Sequence, residues 1–400
     1  VKKFKGEKLM GFTLRGARLV DASTDLPAGD IIVDGEKIQS VGATLTVAGK
    51  VIDVSGMIVT PGFIDVHTHG GGGFELHTTK VEQIYAYSRW VASTGVTSYL
   101  VAVVGTPNCV PIAQMETAVQ AIEHQQDGAE PLGIHLEGPY INVKKRGAHP
   151  PEWLRIPDPK ETEEVLRVTN GHLRLVTLAP ELPGAPEMIK QLVEAQVTVS
   201  MGHTEADYQQ AKDAFAQGIT HVTHCFNAMR PMLHREPGPL PALFEAPKHV
   251  KGELIPDGYH VDPAMMRVLV KLLGPDRTII VTDAQAGAGI PDAVFEFAGQ
   301  TVYAMCGAAR FKDGTLAGSI LTLDKGLHNV LELTGVNLQE AITMMTLNPA
   351  QSIHVDSRKG LLKTGYDADL LLFDSSLTLQ ATICRGRIMY ATEDWRERFL

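Results

Sequence analysis

The 400-residue chain has only four cysteines, Cys109, Cys225, Cys306 and Cys384, scattered and without a Cys-x-x-Cys pair. That excludes a disulfide framework and a thiolate zinc site, and reads as the reduced thiols of a cytoplasmic protein. No uninterrupted apolar stretch reaches the roughly 20 residues a helix needs to span a bilayer. The basic N-terminus, VKKFKGEKLMGFTLRG, has no continuous apolar h-region, so no signal peptide is expected. Positive charge is not in excess either: 36 Lys and Arg against 46 Asp and Glu give a formal net charge of −10. This argues against nucleic acid or an anionic membrane as partner. An anionic small molecule stays open, because a local basic pocket is enough to bind it. Solenoid-type repeats, low-complexity tracts and long linkers are also absent.

What is present is an ordinary globular composition, 44% hydrophobic and 20% charged, in a chain long enough for about two or three domains. Residues 11–60 read as short strands and turns, as do the last 40 or so. Between them, eight short apolar runs alternate with helix-like segments such as KVEQIYAYSRWVAST and EADYQQAKDAFAQ, the pattern of βαβ units. The runs are GFIDVHTH, VTSYLVAVVG, LGIHLEGP, LRLVTLAP, VTVSMGH, ITHVTHCFN, KGELIPDG and TIIVTDA. Eight parallel strands close into a barrel. The expected fold is therefore α/β: a (β/α)8 TIM-type barrel over residues 62–356, with a second, smaller β domain built from residues 1–61 and 357–400.

In such barrels chemistry sits at the C-terminal ends of the strands. Run one ends in His67 and His69, which share a face because residues i and i+2 of a strand do. Two converging imidazoles suit a metal ion. The third run ends in Glu137, the fifth in His203, the sixth in His224 and the eighth in Asp283. His67 and Asp283 lie 216 residues apart over seven units, about 31 per unit, as a barrel of about 250 residues requires. His221 and His224 fall on opposite faces of run six, so only one enters the barrel mouth; His224 is nearer the strand end, and His221 is expected to be packing. Singly each residue has a structural reading, a salt bridge for Glu137 or a helix cap for Asp283. Together they point to a metal hydrolase site. The four glycines after His69 are expected to leave room for metal and substrate.

The H-x-H, the two later histidines and the strand-eight Asp resemble the amidohydrolase superfamily. Run four ends VTLAPE and has no lysine to carry the carbamate that bridges two metals in many members, so the bridging role falls to Glu137. With HLEGPY, KRGAHPPEW, MGHTEADY, THCFNAM, REPG, DGYHVDP, VTDA and DGTLAGS in order, the chain resembles the N-acetylglucosamine-6-phosphate deacetylase family over nearly its whole length. That resemblance implies a β-sandwich as the small domain, a homodimer, and one or two divalent ions per chain, zinc first, with iron, manganese or cobalt as alternatives. It makes Glu137, His203 and His224 the core metal ligands, and His67 and His69 ligands of a second ion. Asp283 matches the catalytic acid/base. His149, with Ala148 before it, and His260 match substrate-contacting residues, His149 being preferred to stabilise the oxyanion. Asn227, Ala228 and Arg235 match a segment that binds the sugar phosphate, and Leu316, Ala317 and Gly318 a loop lining the sugar pocket. The implied reaction is hydrolysis of the acetamide of N-acetyl-D-glucosamine 6-phosphate to D-glucosamine 6-phosphate and acetate. The galactosamine epimer, a superfamily deaminase or amidase, and a non-catalytic barrel are the alternatives; intact ligands argue against the last.

Overall fold

The computed structural model describes residues 7–8, 11–124, 127–305 and 307–399; Cys306 and most of the basic N-terminal segment lie outside these. All eight apolar runs contain parallel strands: β1 Phe63–Asp65, β2 Val96–Val103, β3 Glu130–Glu137, β4 Leu173–Leu178, β5 Thr198–Met201, β6 His221–Val222, β7 Lys251–Leu254 and β8 Thr278–Ile280. They pair in chain order from β1 to β8. The ring closes just past the strand ends, where the Asp283 N–H donates to His67 O (2.9 Å) and the His69 N–H to Ala284 O (2.8 Å). Strand β2 is buried along its whole length, as expected of a parallel strand covered on both faces.

A helix follows each strand, from Val81–Val91 after β1 to Leu323–Thr334 after β8. Local sequence sets where these helices begin. Asp158 accepts from the Lys160 and Glu161 N–H groups and Pro159 occupies the first turn of Pro159–Val168, whose Thr162, Val165 and Val168 face the core. Asp207 and Gln210 form a capping box at the start of Tyr208–Ala216. The short helix Leu347–Ser352 packs at the N-terminal end of the barrel: Thr198, the first residue of β5, donates to Ser352 O at 2.6 Å. Catalytic chemistry is thereby left to the opposite end.

The N- and C-terminal strands meet in one mixed nine-stranded sheet. Phe12, Leu14 and Ile31 from the N-terminal strands share a core with Leu370, Leu372 and Ile383 from the C-terminal ones. Hydrogen bonding runs unbroken through this sheet, so its two halves are parts of one ribbon around a common core. A feature the sequence pattern does not announce follows β8: a three-stranded antiparallel sheet, Val294–Phe297, Gln300–Met305 and Ala308–Arg310. Among the described residues, no helix is long and apolar enough to cross a membrane, and Cys109, Cys225 and Cys384 are free thiols.

An ionic knot ties the start of β3 to the C-terminal strands. Lys359 Nζ lies 2.7 Å from Glu130, 3.0 Å from Asp367 and 2.5 Å from Asp369, and Arg358 forks onto Glu130 at 2.8 Å. Burial alone would raise the Glu130 and Asp367 carboxyls, but the charges of Lys359 and Arg358 hold both down to about 2. A carboxylate held below its unfolded pKa stabilises the fold above that pKa and loses the contribution as pH falls toward the folded value. Lys359→Met should cost about 3–5 kcal/mol at pH 7, because it strands buried carboxylates. In urea titrations the gap to the parent should narrow between pH 5 and pH 2; a gap that stays constant with pH would show that the knot contributes packing alone.

Candidate active site

Five strands deliver the six residues at the strand ends. Glu137 is the last residue of β3, His67 and His69 follow β1, His203 and His224 each lie two residues past β5 and β6, and Asp283 follows β8. Three of them are held in the left-handed backbone region, with φ of 47° at His203, 25° at His224 and 47° at Asp283. Residues with a Cβ rarely adopt it, and such strain persists where the surroundings over-determine the position, commonly at functional sites.

The side chains converge on Glu137, which is almost fully buried. Its Oε1 lies 3.3 Å from His67 Nε2, 3.2 Å from His203 Nε2 and 3.4 Å from His224 Nε2. Its Oε2 lies 3.2 Å from His69 Nε2 and 3.5 Å from His149 Nε2. Asp283 Oδ1 stands 3.2 Å from His69 Nε2 and 3.6 Å from His67 Nε2. Two groups of potential ligands result, His67–His69–Glu137 and Glu137–His203–His224, with Glu137 common to both. The donors fit a divalent ion. His203 donates Nδ1–H to Lys145 O at 2.7 Å, which leaves Nε2 as a bare lone pair. That lone pair sits only 2.9 Å from His224 Nε2. His67 Nε2 is buried and has no hydrogen-bond partner. Imidazole nitrogens and a carboxylate crowded with lone pairs inward are the donor set of a zinc-type site.

Burial opposes charge on both Asp283 and His69, but each outweighs it for the other. The His67 and His69 charges hold Asp283 at about 2, and hydrogen bonds to Asp283 and Glu137 lift His69 to about 9. Burial keeps His149 below its ordinary value, hence neutral.

A cavity of about 320 Å³ opens over this cluster, within the range of small-molecule sites. Of the residues singled out from the sequence, His69, Glu137, Ala148, His149, His203, His224, Asn227, Ala228, His260, Asp283, Leu316 and Gly318 line it. His67 lies beneath, and Ala317 is buried behind its neighbours. His260 is fixed by Asp257 at 2.6 Å, which outweighs burial and raises its pKa. Gly318 is needed as glycine: at φ 76°, a Cβ there would meet Gln285 Cγ at 2.7 Å and Asp283 O at 2.9 Å. Arg235 is exposed, hydrogen-bonds the His234 ring at 2.9 Å, and does not line the cavity of its own chain.

Two expectations are corrected. The glycines after His69 make a tight hairpin, Gly70–Gly71 with Phe74–Glu75, seated on the Trp90 indole. A Cβ on Gly71 or Gly72 would collide with that ring at 2.3–2.4 Å, so the room they leave is for Trp90, not for metal and substrate. His221 is no mere packing residue: its Nε2 lies 2.9 Å from Glu253, a buried carboxylate in β7. Glu253 carries the same sequence signal as Glu137, an acid within an apolar run. Also missed were Lys144 and Lys145, next to the GAH motif, and Phe297 of the added sheet, all of which line the cavity; the rings of Phe297 and His69 meet edge to face at 6.1 Å.

Known proteins are similar to this chain over most of its length. The amidohydrolase family profile matches residues 58–389. The N-acetylgalactosamine-6-phosphate deacetylase of Escherichia coli O157:H7 is 37% identical over 83% of this chain and 87% of its own. The Homo sapiens N-acetylglucosamine-6-phosphate deacetylase is 35% identical over 98% of both. A mutant of the Mycobacterium smegmatis N-acetyl-D-glucosamine-6-phosphate deacetylase, solved in complex with N-acetyl-D-glucosamine-6-phosphate, superposes with a TM-score of 0.89 at 31% identity, covering 96% of this chain and 100% of that one. A barrel whose strand ends gather histidines and acids in this order, matched over more than four-fifths of its length, places the chain in the amidohydrolase family.

Proposed function

We propose that the chain hydrolyses the acetamide of N-acetyl-D-glucosamine 6-phosphate, releasing acetate and D-glucosamine 6-phosphate, with two divalent ions, zinc first, on the paired ligand groups. The observation that carries this reading is the Asp283 carboxylate, 3.2 Å from His69 beside the shared Glu137 cluster, under a cavity with Lys144 and Lys145 on its wall. A divalent ion on these donors supplies Lewis acidity, acidifying water and polarising a carbonyl. The chain's own groups do the rest. Ionised Asp283 accepts the proton of the attacking water and returns it to the leaving nitrogen. Neutral His149 faces the cavity and donates a hydrogen bond to the developing oxyanion. The fixed His260, with Asn227 and Lys144, provides donors for the phosphorylated sugar.

The relative named for N-acetylgalactosamine 6-phosphate favours a second reading, the epimer at one sugar carbon. Turnover of both N-acetylhexosamine 6-phosphates on metal-defined enzyme separates the two, and the faster substrate names the activity. Hydrolysis of neither would overturn both readings.

Arg235, outside its own cavity in the proline-punctuated loop after β6, is proposed to reach the phosphate in the neighbouring subunit of a homodimer. A charged hydrogen bond of that kind is worth roughly 1.5–3 kcal/mol, about 10- to 150-fold in kcat/KM. Arg235→Ala should lose that factor on the phosphorylated substrate and almost nothing on N-acetylglucosamine. Mixing Arg235→Ala with Asp283→Asn chains should restore one good site per mixed dimer; no recovery on mixing would rule out action across subunits.

Asp283→Asn alone should keep metal and substrate binding while kcat falls on the order of 10²–10⁴-fold. A kcat near that of the parent would remove Asp283 from the reaction. Removal of ions with a chelator should abolish turnover, and elemental analysis of the reloaded protein should find two per chain. Glu137→Ala should prevent reloading of both, because it serves both groups; retention of either ion at full occupancy would contradict a bridging role.

A further inference from the structure

Beneath the ligand cluster, inside the barrel, Glu253 is fully buried and accepts three hydrogen bonds. Its Oε2 takes the His67 Nδ1–H and the His224 backbone N–H, both at 2.9 Å, and its Oε1 takes the His221 Nε2–H at 2.9 Å. His221 is braced from behind by Ser352 Oγ at 2.5 Å. These donors bring together β6, β7, the end of β1 and the helix that plugs the barrel floor.

Burying a carboxylate is costly unless its oxygens are satisfied, and here they are. An ionised Glu253 can only accept, so His67 must carry its proton on Nδ1. Its Nε2 then faces Glu137 at 3.3 Å as a lone pair. The other ligand group is oriented differently. His203 leans on a neutral backbone carbonyl, and His224 Nδ1 has no hydrogen-bond partner. His69 Nδ1 likewise has no hydrogen-bond partner, so among the described ligands only His67 has a full negative charge behind its ring. An imidazole donating to a carboxylate is fixed in tautomer and made a stronger ligand; losing such a partner typically costs 10–100-fold in metal affinity.

We propose that Glu253 is the positioning residue that makes His67 a metal ligand, so that the ion on His67–His69–Glu137 depends on it while the ion on Glu137–His203–His224 does not. This rests on the reading that both groups hold an ion.

The test is a calorimetric titration of the metal-free chain with zinc, comparing the parent, Glu253→Gln, and His69→Ala as the reference for loss of the first group. The parent should take up two ions. Glu253→Gln should keep one at an affinity within about threefold of the parent and bind the other about 10- to 100-fold more weakly, approaching His69→Ala. Two ions at parental affinity, or equal weakening of both, would overturn the proposal. A parent that binds one ion, unaffected by His69→Ala, would overturn the two-ion reading and this inference with it. If Glu253→Gln does not fold, long-range 15N–1H spectra of the zinc-loaded parent decide without a variant: protonated Nδ1 and ligating Nε2 on His67 support the proposal, and a proton on Nε2 overturns it.

Discussion

The structure depends most on one buried carboxylate. Glu137 sits buried at the C-terminal end of an apolar strand, where an uncompensated charge would be expelled. It persists because five histidines, from the ends of β1, β5 and β6 and from the loop after β3, surround it at 3.2–3.5 Å. The barrel is what brings those elements together, at the C-terminal ends of its strands. Negative charge at the centre of this cluster calls for positive charge beside it, whether a protonated imidazole or a divalent ion, so the fold and the two groups of potential metal ligands express one electrostatic requirement.

That requirement explains where the chain accepts strain. His203, His224 and Asp283 turn into the left-handed region immediately after their strands, so that the backbone exits while the side chains point inward. Behind them, the support differs by position: a backbone carbonyl for His203, a carboxylate for His67, and the Asp283 carbonyl stitched to Ser319 N–H at 2.8 Å. The added antiparallel sheet and the 315–319 segment thus serve the same end, walling the cavity beside Asp283.

Much of this was legible in the sequence for a physical reason. A parallel barrel repeats strand and helix at a near-constant interval, and polar residues at the end of an apolar run must face the mouth. His67, His69, Glu137, His203, His224 and Asp283 all end such runs, and all keep the interval except for the short step of 21 residues from His203 to His224. What was not legible involves contacts between distant segments. Gly71 and Gly72 were attributed to the metal site, yet Trp90, on the following helix, dictates them. Strand alternation tells which face His221 is on, but not that Glu253 awaits it there. Arg235 matches a phosphate-binding segment by motif, but in the single chain it is exposed and does not line the cavity; motif order carries no information about which subunit a loop serves.

The most direct measurement is anomalous diffraction at the zinc edge from crystals of zinc-loaded protein. Expected are two peaks inside the cluster, each about 2.0–2.2 Å from histidine nitrogens and a Glu137 oxygen, with Glu137 between them. Ions found only elsewhere on the molecule, or Glu137 hydrogen-bonded to protonated histidines with no peak in an active crystal, would contradict a metal centre built on that carboxylate.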